Sequence, residues 1–174
     1  MEGVGEDPCL ELLGLNWNDE LMPTLFLMCG LPGAGKTTLA RMLERKRDAL
    51  RLTPDEWMES IVGDGYDEAR RAAVEAKQWE IASRVLELGA NVILDWGFWS
   101  LAERDEYRLR AARLGAQAEV WFIDVERDEL AARLSARNRD LPPNTFRVTP
   151  EQLDEWSKLF EPPTADEPGL VIAE

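Results

Sequence analysis

The chain contains no histidine. That absence excludes histidine-based catalytic triads, histidine-ligated zinc and an imidazole general base. Any proton acceptor is then a carboxylate or, failing that, Lys, Tyr or Cys. Cysteine is scarce as well. Cys9 and Cys29 make neither a disulfide framework nor a metal knuckle, and they suit a reducing cytoplasm. Cys29 closes an apolar run and reads as a small buried thiol. No apolar run approaches the roughly 20 residues that cross a bilayer, and Met1–Asp7 lacks the basic start of a signal peptide. Positive charge is short too: 20 Lys and Arg stand against 34 Asp and Glu, a net charge of −14. Such a field repels polyanions and counts against nucleic acid, although screening over roughly 8 Å leaves room for a local basic patch.

What is present is enough for one domain with a core: 174 residues, 45% of them apolar. Residues 1–22 are acidic and poorly periodic and read as an N-terminal extension to a domain over 23–174. Leu10, Leu12, Leu13 and Leu15 are the apolar residues there that can pack a short turn on the domain.

The most specific signal is Gly30-Leu31-Pro32-Gly33-Ala34-Gly35-Lys36-Thr37-Thr38. It fits G-x-x-x-x-G-K-[ST], in which glycines let backbone N–H groups turn onto nucleotide phosphates where a side chain would clash. Lys36 is placed to reach the β- and γ-phosphates and the Thr37 hydroxyl to ligand Mg²⁺. An apolar strand, Thr24–Cys29, precedes the loop and a helix to about Asp48 follows, its N-terminus adding partial positive charge. This pattern predicts binding of ATP or GTP.

Beyond the loop, strands alternate with helices. Leu50–Thr53 is a short strand, and Thr53-Pro54-Asp55-Glu56 starts a helix that Gly63-Asp64-Gly65 ends. A long helix over Asp67–Leu88 carries Ala72, Ala76, Trp79, Ala82 and Leu86 on one stripe. Asn91–Asp95 is a buried strand, Leu101–Gly115 a helix, Ala118–Asp124 a strand and Glu126–Arg139 a helix. Thr149-Pro150-Glu151-Gln152 opens a last helix with a capping box, and Gly169–Ile172 is a fifth strand. The alternation implies an α/β fold with a parallel sheet covered on both faces, whose ligands bind beyond the carboxyl ends of the strands.

Acids at those ends are the candidate chemistry. Asp55 follows the second strand and is a candidate base. Asp95 ends the third as in a Walker B strand and is a candidate ligand of Mg²⁺ or substrate. Asp124, at the end of the fourth, is a weaker candidate that also reads as a turn acid. Arg133 and Arg137 share a helical face, with Arg139 beside them, before the break at Leu141-Pro142-Pro143-Asn144. An arginine on a mobile segment stabilises the charge of a transferring phosphoryl group, and Arg137, nearest the break, is favoured. Trp57, Trp96 and Trp99 neighbour the two site acids and can wall a small-molecule pocket, one suited to a cation included, or simply pack the core.

The phosphate loop, the strand-end Asp55, the strand ending in Asp95 and the R-x-x-x-R-x-R segment together resemble the small P-loop kinase family of the AAA_33 type. That group holds chloramphenicol phosphotransferase, the zeta-toxin kinases and the polynucleotide 5′-hydroxyl kinase domain. The likeness spans about 24–160. It implies a three-layer P-loop NTPase fold with strand order 2-3-1-4-5 and an arginine-bearing lid at about 137–149. It also implies Asp55 as general base and contact of Arg137 with the ATP phosphates, with Arg133 beside it. Where polynucleotide kinases place a phosphate-holding arginine three residues after that aspartate, this chain has Met58. The expectation is an ATP- and Mg²⁺-dependent phosphotransferase with a small-molecule hydroxyl acceptor, its catalytic residues Lys36, Asp55 and Arg137. A polynucleotide 5′-hydroxyl kinase and a nucleotide-dependent switch are the alternatives.

Overall fold

The computed structural model describes residues 22–65, 67–143 and 145–173. Residues 1–21, with the extension, its leucines and Cys9, lie outside the described residues. Five strands form one parallel sheet: β1 (Thr24–Cys29), β2 (Ala49–Leu52), β3 (Asn91–Gly97), β4 (Gln117–Phe122) and β5 (Leu170–Ile172). Their spatial order is β2-β3-β1-β4-β5, the order implied by the resemblance. The helices are α1 (Lys36–Lys46), α2 (Pro54–Trp57, continued by a π-helical turn over Met58–Val62), α3 (Glu68–Glu87), α4 (Leu101–Arg113), α5 (Arg127–Arg139) and α6 (Pro150–Leu159). Among the described residues no helix is long and apolar enough to cross a membrane.

The layering follows from side-chain alternation along β1. Phe26 and Met28 meet Ala40 and Leu43 of α1, whereas Leu25, Leu27 and Cys29 meet Ala82 and Leu86 of α3 and Ala111 of α4. Residues 25–29 are at most 1% exposed, so β1 is covered on both faces as a central parallel strand requires. Each such large apolar side chain contributes about 1.5–3 kcal/mol of burial. A third cluster joins Leu130 and Leu134 of α5 to Leu153 of α6 and to Ala34 of the phosphate loop.

Two expectations shift. The stripe on α3 is only half right. Ala82 and Leu86 are buried and Trp79 is half-buried, but Ala72 and Ala76 are exposed. Over that half of the helix Arg71 and Glu75 face inward, because there the helix borders a cleft rather than the sheet. β4 ends two residues short of Asp124. Ile123 N–H still donates to Cys29 O (3.2 Å), and Asp124 is left exposed in the loop beyond.

β3 instead runs two residues past Asp95 and carries a bulge. Leu27 pairs with Leu94 but Cys29 with Gly97, so β3 has one extra residue at Asp95–Trp96. Bulges re-aim side chains beside functional sites. Here consecutive residues Leu94 and Asp95 are both buried, and the chain then reverses through positive φ at Gly97 (118°) and Phe98 (45°). A left-handed non-glycine residue costs about 1–3 kcal/mol and persists only where neighbours hold it. Arg104 does so: its Nη1 donates to Phe98 O (3.2 Å) and Glu161 O (3.0 Å).

Arg104 is 1% exposed and forms a two-pronged pair with Glu167, Nε to Oε2 at 2.9 Å and Nη2 to Oε1 at 2.6 Å. Arg108 adds a second guanidinium at 2.7 Å. This cluster straps the segment leading into β5 against α4. Donation by Arg104 holds the Glu167 carboxyl down at about 2, against 4.5 ordinarily.

A depressed carboxyl stabilises above its unfolded pKa and loses that contribution as pH falls through the folded value. Urea unfolding should therefore show stability falling between about pH 4.5 and 2. Glu167→Ala is expected to cost about 3–5 kcal/mol at pH 7, because Arg104 is left buried without its carboxylate. The variant should also lack the Glu167 share of the acid loss. A cost under about 1 kcal/mol at pH 7 would remove the strap from the account of stability.

Candidate functional site

The phosphate loop joins β1 to α1 at the carboxyl end of the sheet. Gly30 (φ 141°) donates its N–H to Gly97 O at 3.2 Å, and a Cβ on Gly30 would lie 3.1 Å from Ile123 O. A Cβ on Gly33 (φ 86°) would lie 3.0 Å from Leu134 Cγ. Gly35 (φ 107°) caps the N-terminus of α1 with no atom near its missing side chain. Two glycines are thus demanded by crowding as well as by backbone angle, and the third by backbone angle alone.

Of the loop residues, Pro32, Gly33, Gly35, Lys36, Thr37 and Thr38 line a cleft of about 660 Å³. Gly30 forms the turn beneath it, while Leu31 and Ala34 pack on the α5–α6 cluster. Lys36 Nζ donates to Leu31 O at 2.9 Å, so its side chain lies back across the loop. Burial lowers its pKa, opposed by the carboxylates of Asp95 and Asp55. Arg133 also braces the loop, Nη1 donating to Ala34 O at 3.1 Å while Glu129 holds its other nitrogens.

Asp95, 7% exposed, lies beside the start of α1 and lines the same cleft as Thr37. Burial raises its pKa, with Lys36, Thr37 and Arg51 opposing. Thr37 and Asp95 together present two hard oxygens, a donor set suited to Mg²⁺, which takes one or two protein oxygens and completes its shell with phosphate and water. Among the described residues no group of three or more acidic or thiol side chains forms a closed metal cage. Behind Asp95 stands Arg51 of β2, 3.3 Å from its Oδ2 and also paired with Glu56 and Glu44.

Asp55 opens α2 directly after β2. It too lines the cleft, with Oδ1 2.6 Å from Arg71 Nη2 of α3. Arg71 also lies 3.8 Å from Glu75 and over the Phe146 ring at 5.8 Å. Arg137, at the end of α5, donates to Phe146 O at 3.2 Å, and its buried Nε has no partner. Its pKa is lowered by burial and raised by Asp55. Asn138 exchanges bonds with Val148 at 2.7 and 3.3 Å, drawing the segment after α5 back over the cleft. Arg139 is exposed and lies outside the cleft.

The tryptophans divide. Trp96 and Trp99 line the cleft; Trp57 does not, although Asp55 and Glu56 just before it do. Trp96 stacks on Phe98 (6.0 Å between centroids, 6° between planes), and Trp99 meets Trp156 of α6 at 5.7 Å. Sequence reasoning missed Arg71, Glu75, Trp156 and Arg51. The first three reach the cleft from helices with no strand-end position to mark them. Arg51 had one signal, a charge inside a short strand.

A phosphate loop between the central strand and its helix, in a sheet of this order, defines a P-loop nucleotide-binding protein of the small kinase type. Residues 25–163 match the AAA_33 family, described as an AAA domain, and the chain belongs to that family. No curated protein sequence matches it. Among solved structures it is similar to Chaetomium thermophilum Kti12 in complex with ADP-AlF3, with 17% identity over 86% of this chain and 88% of that one and a TM-score of 0.66. It is similar to a gluconokinase from Sinorhizobium meliloti 1021, with 16% identity, 87% and 82% coverage and a TM-score of 0.59. It also resembles the Mycobacterium tuberculosis APS kinase CysC in complex with AMPPNP and APS, with 23% identity, 79% and 97% coverage and a TM-score of 0.54. At these identities the likeness shows the fold.

The two glycine environments separate in a stability measurement. Gly35→Ala should cost about 1–2 kcal/mol from backbone angle alone. Gly33→Ala should cost about 1–3 kcal/mol more, because its methyl meets Leu134. Urea unfolding checks this, and equal losses would show that the contact with α5 gives way freely.

Proposed function

We propose that the chain transfers the γ-phosphate of ATP to a hydroxyl group of a small molecule. The observation that carries this reading is the single cleft shared by the phosphate loop and Asp55. A nucleotide's phosphates and a candidate base for an acceptor therefore meet in one space. Phosphoryl transfer needs little more than positioning and charge stabilisation, and the lining supplies both.

Lys36 and the backbone N–H groups of 33–38 hold the phosphates. Thr37 and Asp95 hold Mg²⁺, which when bound neutralises charge on the phosphate oxygens. Arg133 and Arg137 both line the cleft, and Arg137, whose Nη2 donates to Phe146 O while its Nε is unpaired, is the cation that turns onto a phosphate. Asp55 accepts the hydroxyl proton. Arg71 occupies Oδ1 and orients the carboxylate, leaving Oδ2 for the acceptor. Most of the rate comes from these fixed charges. The acidic net charge, and methionine at position 58, favour a small acceptor over a polynucleotide.

The test is transfer of label from γ-labelled ATP, with Mg²⁺, to a pool of hydroxyl-bearing small molecules and separately to 5′-hydroxyl oligonucleotides. Asp55→Asn is expected to slow transfer at least about 100-fold, with ATP affinity within about threefold of wild type. Near wild-type turnover in that variant would remove Asp55 as base. Release of free phosphate alone, at a rate no acceptor changes, would point to a nucleotide-dependent switch.

A further inference from the structure

The charges lining the cleft are unevenly distributed. Lys36, Arg41, Arg133 and Arg137 lie at the phosphate-loop end, where the acids Glu56 and Asp95 are themselves paired with arginine. The opposite end, bordered by α3 and α4, carries Glu68, Glu75 and Glu103 beyond Asp55, with Arg71 the one cation among the described lining residues there. Arg71 is already engaged, at 2.6 Å from Asp55 and 3.8 Å from Glu75. Glu103 accepts from Ser100 N–H (3.0 Å) and its hydroxyl (3.2 Å), neither of them a cation. Burial raises the Glu75 pKa, Arg71 opposes this, and the negative charges of Glu103 and Asp55 add to the rise. The carboxylates at this end outnumber the cations available to them.

The rest of that end is aromatic. Trp96 and Trp99 line it, backed by Phe98, Tyr107 and Trp156. Indole faces attract cations, most strongly where water is excluded. Trp96, which lines this end, has a buried Nε1 donor without a partner, whereas Gln78, whose buried Oε1 also lacks one, sits on α3 behind the lining residues. Gln78 is fully buried one turn along α3 from Glu75, its Nε2 donating to Thr53 O at 3.0 Å. An aromatic wall with surplus carboxylates fits a cation, whereas a carboxylate- or phosphate-bearing acceptor would face repulsion from three glutamates.

Resting on the phosphotransferase reading above, we infer that the acceptor is a hydroxyl compound carrying a protonated amine, of the amino-sugar or amino-alcohol class. Glu75 and Glu103 hold the ammonium, and Trp96 and Trp99 cover the carbon skeleton. The ammonium has no lone pair, so the hydroxyl oxygen is the nucleophile. Its bond to Pγ forms as the bond from Pγ to the β,γ-bridging oxygen breaks. ADP departs with that electron pair, and the hydroxyl proton passes to Asp55.

The experiment uses the full chain with γ-labelled ATP, Mg²⁺ and matched probes: glucosamine and kanamycin against N-acetylglucosamine, glucose and gluconate. Binding of each probe in the presence of a non-hydrolysable ATP analogue is followed by tryptophan emission. The amines are expected to be labelled with KM at least about tenfold below the neutral sugars. Glu75→Gln should raise the amine KM by a similar factor while changing kcat much less, and should erase the preference. The wild-type panel decides by itself if that variant does not fold. Equal or better labelling of glucose or gluconate overturns the cationic acceptor while leaving the kinase reading intact. Labelling of no probe, with no emission change from any of them, overturns both.

Discussion

The concave backbone after β1 is the constraint on which the rest of the structure depends. Within the loop Ala34 N–H donates to Leu31 O at 3.2 Å, but a backbone that turns its N–H groups inward needs further support. Its curvature is held from outside. Gly97 of β3 accepts from Gly30, Ile123 after β4 crowds Gly30, and Leu134 of α5 crowds Gly33. Three elements therefore converge on the carboxyl end of the central strand. The parallel sheet makes that convergence possible, because every strand on either side of β1 ends at the same edge.

Once that edge is established, its polarity follows from which elements reach it. The phosphate-loop side receives α1 and α5, whose Lys36, Arg41, Arg133 and Arg137 line the cleft. The other side receives α3 and α4, whose inward residues are Glu75 and Glu103 with Arg71 between acids. Asp95 sits at the boundary. The bulge at Asp95–Trp96 sends one residue to Thr37 and the next into the aromatic cluster, so the two halves meet across a single peptide bond. The reversal at Gly97 and Phe98 that completes this junction is held by Arg104, whose own charge is balanced by Glu167 far along the chain. A strap remote from the phosphates thus supports the shape of the cleft floor.

Much of this was legible from residue order. The five strands were visible as short apolar runs between helical patterns, most clearly β1 and β3, whose burial on both faces leaves no polar alternation to obscure them. The phosphate loop was legible because its glycine spacing is dictated by backbone geometry alone. Asp55 and Asp95 were legible as acids at strand ends. The α3 stripe was half misread because alanine has too little side chain to declare a face, and Ala72 and Ala76 fall where the helix leaves the sheet. Trp57 was placed beside the cleft by its nearness to Asp55 in sequence, yet neighbours on a helix point apart. Arg104 and Glu167 could not be paired in advance, since 63 residues separate them and either alone reads as a surface charge.

The sequence by itself determined the phosphate loop, the alternating parallel fold and the exclusion of an imidazole base. Each of these depends on local chemistry: glycine's freedom at positive φ, the period of apolar residues, and the absence of histidine. Only the tertiary structure decided what surrounds the end of the cleft away from the phosphate loop. Arg71, Glu75, Trp96, Glu103 and Trp156 come from α3, β3, α4 and α6, and their distances are set by helix packing on the sheet. Charge and aromatic surface at such a site are properties of convergence, which residue order along the chain does not specify.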